Sequence, residues 1–263
     1  MKKVLSIVLV ALMGFTLLSG CGNSGEAKTS GNYLKVGVRK DLPNFSVYDE
    51  DADTYYGFED DLAKYIAINM GYDGVEYVGL TAETRESSLN NGEVDVVVAA
   101  FSKTDEREEN FDLSSPYYED KGLVMIEKST LFDSYANLKG MDVAFRKGAT
   151  SEENLAEKLK ADGLINEASV SALKNYLNVI EMDSYGDMET ALENGDVDAV
   201  CADGCITISW LNDDRMYFDE PYSEEDYVAA TKKGSELSDK VNSAIESLSD
   251  DGTIDALKEK WGV

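Results

Sequence analysis

The sequence predicts a protein of two α/β lobes, and three observations support this prediction. Candidate strands alternate with candidate helices along the chain, as in an α/β sheet. Two apolar runs, Val94–Phe101 and Val197–Cys201, suit parallel strands that are buried on both faces. Segment 89–97 is similar to segment 192–200: each has a helix end, a glycine turn and then a buried strand. We therefore expect two lobes of the same construction, with a ligand cleft between them.

The first half of the chain carries the clearer helix signals. Its first predicted helix, Gly57–Met70, has an apolar stripe at helical spacing, an acidic first turn and Gly71 as its stop. The other predicted elements of this half are the strands Leu34–Val38, Val75–Val78 and Val94–Phe101 and a helix over 81–91. The second half repeats the order, with strands Met141–Phe145, Val179–Met182 and Val197–Cys201 and helices Thr150–Ala161 and Asp187–Asn194.

The first 20 residues are predicted to form a secretory signal. Lys2 and Lys3 precede the uncharged stretch Val4–Leu18, which is too short to span a membrane as a helix. The string Leu18–Cys21 resembles the lipobox of bacterial lipoproteins, so we predict lipidation of Cys21 and an extracellular, membrane-anchored protein. The alternative is a plain signal with an incidental cysteine. Residues 21–32 are then the lipidated end and a polar tether.

Composition excludes several function classes. The net charge of −28 disfavours binding to nucleic acid, because phosphate backbones repel an acidic surface. The sequence contains no histidine, which removes Ser-His-Asp and Cys-His catalysis and histidine-based metal sites. We predict no cofactor, no metal site and no catalytic residue. Cys201 and Cys205 could form a disulfide in an exported chain, but two buried thiols are the favoured interpretation.

Seven short motifs, in this order, resemble the solute-binding proteins of polar amino-acid ABC transporters. They are Gly57–Ala63, Gly92–Asp95, Ser102–Arg107, Phe111–Tyr118, Lys147–Glu152, Val197–Asp203 and Asp251–Gly262. The resemblance implies the two-lobed periplasmic-binding-protein-like fold of type II, in which two hinge strands join the lobes. On this analogy lobe 1 is 33–120 plus 224–263, lobe 2 is 121–223, and the crossings lie near 119–121 and 223–226. Residues 162–177 look longer than the usual connection.

A free amino acid carries a carboxylate and an ammonium group, and a buried site must pair both. The resemblance assigns the α-carboxylate to Arg107, whose guanidinium can donate two parallel hydrogen bonds. Its alternative role is a surface arginine in a charged helix. Asp203 is assigned to the ligand ammonium, and helix capping is its alternative. Ser102, Thr150 and Ala100 match the remaining carboxylate-binding positions; Thr150 could instead form a capping box with Glu153.

The ligand side chain is the harder question. Relatives that bind glutamate or aspartate often carry basic residues where this chain has Arg39 and Arg85, and Tyr185 lies where a hydroxyl can reach a side-chain carboxylate. We therefore expect an acidic amino acid, with glutamine, cystine and other polar amino acids as alternatives. Arg85 could instead lie on a helix surface and Arg39 merely flank a strand. Phe45 is either an apolar wall of the site or a core residue.

The resemblance implies a monomeric receptor that delivers an amino acid to an ABC permease in the membrane. Two other functions stay open. Cyclohexadienyl dehydratases are enzymes similar to this family, and they require a general acid with a raised pKa. A sensor that reports ligand occupancy without transport is the third possibility.

Overall fold

The computed structural model of the protein describes residues 31–263. The predicted signal over 1–20, Cys21 and the tether up to residue 30 lie outside the described residues. Within the described part, no helix is both long and apolar enough to cross a membrane.

The described chain alternates strands and helices from end to end. The strands are β1 (Tyr33–Arg39), β2 (Asp41–Leu42), β3 (Ser46–Asp49), β4 (Thr54–Tyr56), β5 (Gly74–Leu80), β6 (Val96–Val97), β7 (Phe111–Leu113), β8 (Tyr118–Glu127), β9 (Asp142–Arg146), β10 (Asn178–Met182), β11 (Ala199–Asp203), β12 (Arg215–Tyr217), β13 (Ser223–Tyr227) and β14 (Ala230–Lys232). The helices are α1 (Phe58–Asn69), α2 (Arg85–Asn91), α3 (Asp105–Asn110), α4 (Ser151–Ala161), α5 (Val170–Tyr176), α6 (Tyr185–Asn194), α7 (Gly204–Thr207), α8 (Ser238–Asp250) and α9 (Thr253–Trp261).

Two sheets of the same construction confirm the prediction from the internal repeat. The first has the order β5-β1-β6-β14-β7 and the second β10-β9-β11-β8-β12, with β13 paired to β8. In each sheet the first three strands are parallel. The repeated segments match in detail, because Gly92 and Gly195 both end a helix in the left-handed conformation at φ 72°. Asp95 and Asp198 each accept the N–H of a residue in the neighbouring strand, Lys35 or Asp142.

The two predicted crossing segments pair directly with each other. Strands β8 and β13 are antiparallel, and their register joins Gly122 to Ser223 and Glu119 to Asp226. The first sheet otherwise uses strands that precede residue 114 or follow residue 229, whereas the second uses strands between 118 and 227. The lobe boundaries at 120/121 and 223/224 stay a prediction.

Helix α1 shows why the first lobe folds as the sequence indicates. Its stripe residues Phe58, Leu62 and Ile66 are at most 1% exposed and belong to the same cluster as Val241 and Ile245 of α8. Burial of side chains of this size contributes about 1.5–3 kcal/mol each.

One sequence prediction needs correction. The buried run Val94–Phe101 forms a strand only at Val96–Val97, because the chain bends at Ala100, which has φ 46°. Residues 162–177, the connection that looks longer than usual, contain α5, and its Leu173 is completely buried.

Several polar residues lie at the carboxyl ends of the parallel strands of both sheets. Arg39 ends β1, Arg146 ends β9 and Asp203 ends β11. The ring of Tyr185, the first residue of α6, lies 5.6 Å from the Arg39 guanidinium and 5.9 Å from that of Arg146. The strand ends of the two sheets therefore converge on one region.

Candidate ligand-binding cleft

A cavity of about 730 Å³ opens beside this region. Its walls include Lys103–Arg107, which follow the first sheet's bend, and Gly148–Thr150, which precede α4 of the second sheet. Tyr222–Glu224, at the start of β13, also line it. The cavity is thus bounded by segments that follow strands of both sheets, as expected for a cleft between lobes.

Arg107 lies on α3 and is only 6% exposed, so its assignment to an exposed surface is wrong. Its Nη1 donates to the carbonyl oxygen of Ser102 at 2.8 Å, and its Nε donates to Oε1 of Glu86 at 3.0 Å. The guanidinium lies over the ring of Phe101, 4.1 Å from its centroid. Glu86 is half-exposed, so water can solvate its carboxylate once it leaves Arg107. A ligand carboxylate could therefore take the place of Glu86 on Arg107 at little cost.

Arg85 is also buried, at 3% exposure, which corrects the alternative of a helix-surface residue. Its guanidinium donates only to backbone carbonyls: those of Ala82 at 3.2 Å, Ala99 at 2.9 Å, Gly148 at 3.2 Å and Ala100. Gly148 precedes α4, so Arg85 also connects the two sides of the cleft.

Arg85 differs from the other buried arginines in its charge pairing. Each of the others has a carboxylate partner: Arg39, Arg107, Arg146 and Arg215. Within residues 31–263, Arg85 forms no ion pair with a carboxylate. Burial and the nearby charges of Arg107 and Arg39 lower the pKa of Arg85 to about 9. A buried cation without a counter-ion is costly, so this position favours a ligand that brings a negative charge.

Arg39 and Tyr185 meet as predicted, but Arg39 already has a protein partner. Its Nε and Nη2 approach Oδ1 of Asp41 at 2.9 Å and 2.8 Å. Arg146 ends β9 of the second sheet and was not selected from the sequence. Its Nη1 lies 3.2 Å from Oε1 of Glu83. The signal that could have identified Arg146 is its place as a charged residue at the carboxyl end of a buried strand.

Asp203 ends β11 and accepts a hydrogen bond from the hydroxyl of Tyr227. It occupies the N-cap position of α7, but its side chain makes no capping bond. Asp120 instead accepts the N–H of Cys205 at 2.8 Å. The capping alternative is therefore wrong. Burial, with a contribution from Glu225, raises the pKa of Asp203 to about 8, and a ligand ammonium nearby would oppose this effect.

The smaller predicted residues occupy the same region. Thr150 lines the cavity, and its side chain makes no capping bond, so the capping box with Glu153 is not formed. Ser102 is buried, and its carbonyl oxygen accepts a hydrogen bond from Arg107. Ala100 forms the bend after β6, and its carbonyl oxygen accepts a hydrogen bond from Arg85.

Phe45 is completely buried in an aromatic group. Its ring lies 5.7 Å from Phe58, 5.0 Å from Tyr118 and 6.0 Å from Tyr227, each in an edge-on arrangement. It thus packs in the core beside Tyr227, whose hydroxyl donates to Asp203. Its role as a wall for the ligand stays a prediction.

Comparison with known proteins identifies the family of the chain. Residues 34–263 match the family model described as bacterial extracellular solute-binding proteins, family 3. The chain belongs to this family. One relative is the ABC transporter glutamine-binding protein GlnH of Bacillus subtilis (strain 168), 30% identical over 281 residues, with 99% of this chain and 97% of GlnH covered.

Two solved structures place this solute-binding protein among type II periplasmic amino-acid-binding proteins. An ancestral arginine-binding protein bound to arginine has a TM-score of 0.73 and 31% identity, covering 88% of this chain and 98% of that one. The ancestral amino-acid-binding protein AncCDT-1, a precursor of cyclohexadienyl dehydratase, has a TM-score of 0.72 and 26% identity, covering 88% and 95%. The predicted two-lobed fold with two hinge strands is confirmed.

Glu59 is the main residue of the cleft region that sequence reasoning missed in this solute-binding protein. It was counted only as part of the acidic first turn of α1. In the structure it is fully buried, and its Oε1 accepts the hydroxyl of Tyr117 at 2.6 Å and the N–H of Ala100 at 2.7 Å. Its spacing could have shown this, because Glu59 lies three and four residues before the buried Leu62 and Ala63.

The cysteines agree with the favoured interpretation in part. Cys201 and Cys205 are both free thiols, but only Cys201 is buried, whereas Cys205 is partly exposed. Across residues 31–263 no cluster of three or more histidine, cysteine or acidic side chains is suited to a metal ion.

Proposed function

We propose that this chain is an extracellular, lipid-anchored receptor that captures glutamate or aspartate and delivers it to the permease of an ABC transporter. The observation that carries the choice of ligand is Arg85, a buried cation that donates to Gly148 of the cavity wall and has no carboxylate partner in the described chain. Arg107 then binds the α-carboxylate and Asp203 the ammonium group.

The charge balance of the cleft supports an acidic ligand over a neutral or basic one. The cations Arg39 and Arg146 are already neutralised by Asp41 and Glu83. A neutral zwitterionic ligand would pair its carboxylate with Arg107 and its ammonium group with Asp203. Arg85 would then still have no carboxylate partner. A second carboxylate would pair with Arg85, whereas a basic side chain would add a like charge there.

The relatives support the class of ligand more than its side chain. GlnH is named for glutamine, and the ancestral structure holds arginine. Their similarity extends over nearly the whole of this chain, which supports amino-acid capture and delivery to an ABC transporter. The choice of glutamate or aspartate rests on Arg85 rather than on these names.

The proposed ligand is tested by titration calorimetry with glutamate, aspartate, glutamine and arginine. We expect Arg85→Gln to weaken glutamate binding at least about tenfold, because removal of one partner of a buried charge pair costs about 2–5 kcal/mol. Glutamine binding by this variant should change little. Arg107→Gln should weaken the binding of every amino acid.

Arg215→Gln is the matched control for the loss of a buried arginine. Arg215 is 5% exposed and pairs with Glu127 and Glu189, away from the cavity. It should lower stability and leave glutamate affinity unchanged. Glutamate binding by Arg85→Gln at wild-type strength would contradict the proposed ligand, as would wild-type protein that binds only neutral or basic amino acids.

The lipid anchor is proposed from the residues around Cys21. Mass spectrometry of the membrane-extracted protein should find a diacylated Cys21 as the first residue. Cys21→Ser should release the protein from the membrane. An unmodified chain that is cut elsewhere and secreted would contradict the anchor.

A second candidate is a dehydratase on the same fold. It is favoured by Asp203, whose pKa of about 8 would keep it protonated at neutral pH, as a general acid requires. Incubation with prephenate or arogenate should then yield an aromatic product that Asp203→Asn abolishes. The absence of turnover by wild-type protein would remove this candidate.

A further inference from the structure

The bend at Ala99–Ala100 connects a buried carboxylate to the arginine of the cleft. On one side, the N–H of Ala100 donates to Oε1 of Glu59 at 2.7 Å. On the other side, the carbonyl oxygens of Ala99 and Ala100 accept from Nη1 of Arg85, the first at 2.9 Å. The same peptide segment therefore donates a hydrogen bond to Glu59 and accepts hydrogen bonds from Arg85.

The bend needs such support. Ala100 has φ 46°, in the left-handed region that costs an alanine about 1–2 kcal/mol. A hydrogen bond from a backbone N–H to a buried carboxyl oxygen contributes about 1 kcal/mol and is costly to leave unmade, so it can offset this cost. If the bond were lost, the bend would relax towards an extended strand, and both carbonyl oxygens would turn away from Arg85.

Glu59 is built into this position from helix α1. It is fully buried, the hydroxyl of Tyr117 fixes its Oε1 at 2.6 Å, and its Oε2 is buried without a hydrogen-bond partner among the described residues. A buried carboxylate with one unpaired oxygen is expensive for stability alone. This cost to stability is explained if the carboxylate contributes to ligand binding.

We propose that Glu59 is a positioning residue for ligand binding: it holds the Ala99–Ala100 bend, and the bend fixes the guanidinium of Arg85 in the cleft. Glu59 does not touch the ligand. It acts through two hydrogen bonds of one peptide segment. The inference rests on the proposed role of Arg85 as the group that binds the ligand's side-chain carboxylate.

The test compares Glu59→Ala with Glu59→Gln by titration of the full-length protein with glutamate. The alanine variant loses the acceptor for the Ala100 N–H and should bind glutamate at least about tenfold more weakly. The glutamine variant keeps an acceptor oxygen and should stay within about threefold of wild type. Asp60→Asn, the next residue of α1 and equally buried, is the matched control and should leave affinity unchanged.

A double-mutant cycle separates positioning from a loss of stability. In an Arg85→Gln background, Glu59→Ala should weaken glutamate binding by less than about threefold, because the group it positions is gone. An equal loss in both backgrounds would overturn the inference, as would wild-type affinity in Glu59→Ala. If Glu59→Ala does not fold, Glu59→Asp, which withdraws the carboxylate by one methylene, should lose affinity while Glu59→Gln keeps it. Equal affinity of these two variants would also overturn it.

The cycle also distinguishes this inference from the proposed ligand. If wild-type protein does not bind glutamate, or Arg85→Gln binds it normally, the proposed ligand fails. If Arg85→Gln loses glutamate binding and Glu59→Ala does not, the ligand stands and the role of Glu59 fails.

Discussion

Asp60→Asn should remove part of a pH dependence that is built into the core. Asp60 is completely buried in α1, and its Oδ1 lies 2.9 Å from Oγ of Ser46. The Ser46 hydroxyl has one proton, which it donates to the carbonyl oxygen of Arg39. The contact with Asp60 is therefore a hydrogen bond only if Asp60 itself carries a proton and donates it to Ser46.

The size of the effect follows from the pKa. Burial, with a contribution from Glu59, raises the pKa of Asp60 to about 8. Between pH 4 and 8 the folded protein thus holds a proton that the unfolded chain releases. Its contribution to the free energy of unfolding is fully present at low pH and falls by about 1.4 kcal/mol per pH unit as the pH rises. Between pH 5 and 8 this amounts to about 4 kcal/mol.

Asparagine has the same shape, can donate to Ser46 from its amide group and does not titrate. Urea unfolding of wild type and Asp60→Asn at pH 5, 6, 7 and 8 measures the difference directly. We expect similar stability at pH 5 and a growing advantage of the variant towards pH 8, because the asparagine has no proton to release on unfolding. Parallel profiles over this range would refute the assignment of a protonated Asp60.

Three further predictions concern the cleft and the cysteines. Ligand affinity should rise from pH 6 to 8 by up to about tenfold per pH unit, because Asp203 must release its proton to bind an ammonium group. Calorimetry of Asp203→Asn should show no such pH dependence. Gly148→Ala should weaken ligand binding, because its φ is 71° and an added Cβ would lie 2.7 Å from the backbone nitrogen of Glu83; wild-type affinity would contradict this. In the native protein a thiol reagent should modify Cys205 faster than Cys201. Equal rates for the two cysteines in the native protein would contradict the observed burial of Cys201.

The sequence predicts the fold well because its signals are local and occur twice. The glycine stops at Gly92 and Gly195 and the buried runs that follow them indicate the two sheets without knowledge of any distant contact. The run Val94–Phe101 shows the limit. Burial alone cannot reveal that the chain bends at Ala100, since the residues of the bend are as apolar as those of the strand.

The site is predicted less completely, because its charges are paired across long sequence distances. The family resemblance selects Arg39, Arg107 and Asp203, and the structure places all three around Arg85. The resemblance does not show that Asp41 neutralises Arg39, or that Glu59 supports the bend, 41 residues away in sequence. Which arginine lacks a counter-ion is a property of the folded chain.

The central claim concerns what Arg85 binds, and a crystal structure of the protein with glutamate tests it most directly. We predict that the ligand's γ-carboxylate lies within hydrogen-bonding distance of Arg85, with the α-carboxylate on Arg107 and the ammonium group on Asp203. A bound glutamate whose side chain points away from Arg85 would contradict the account.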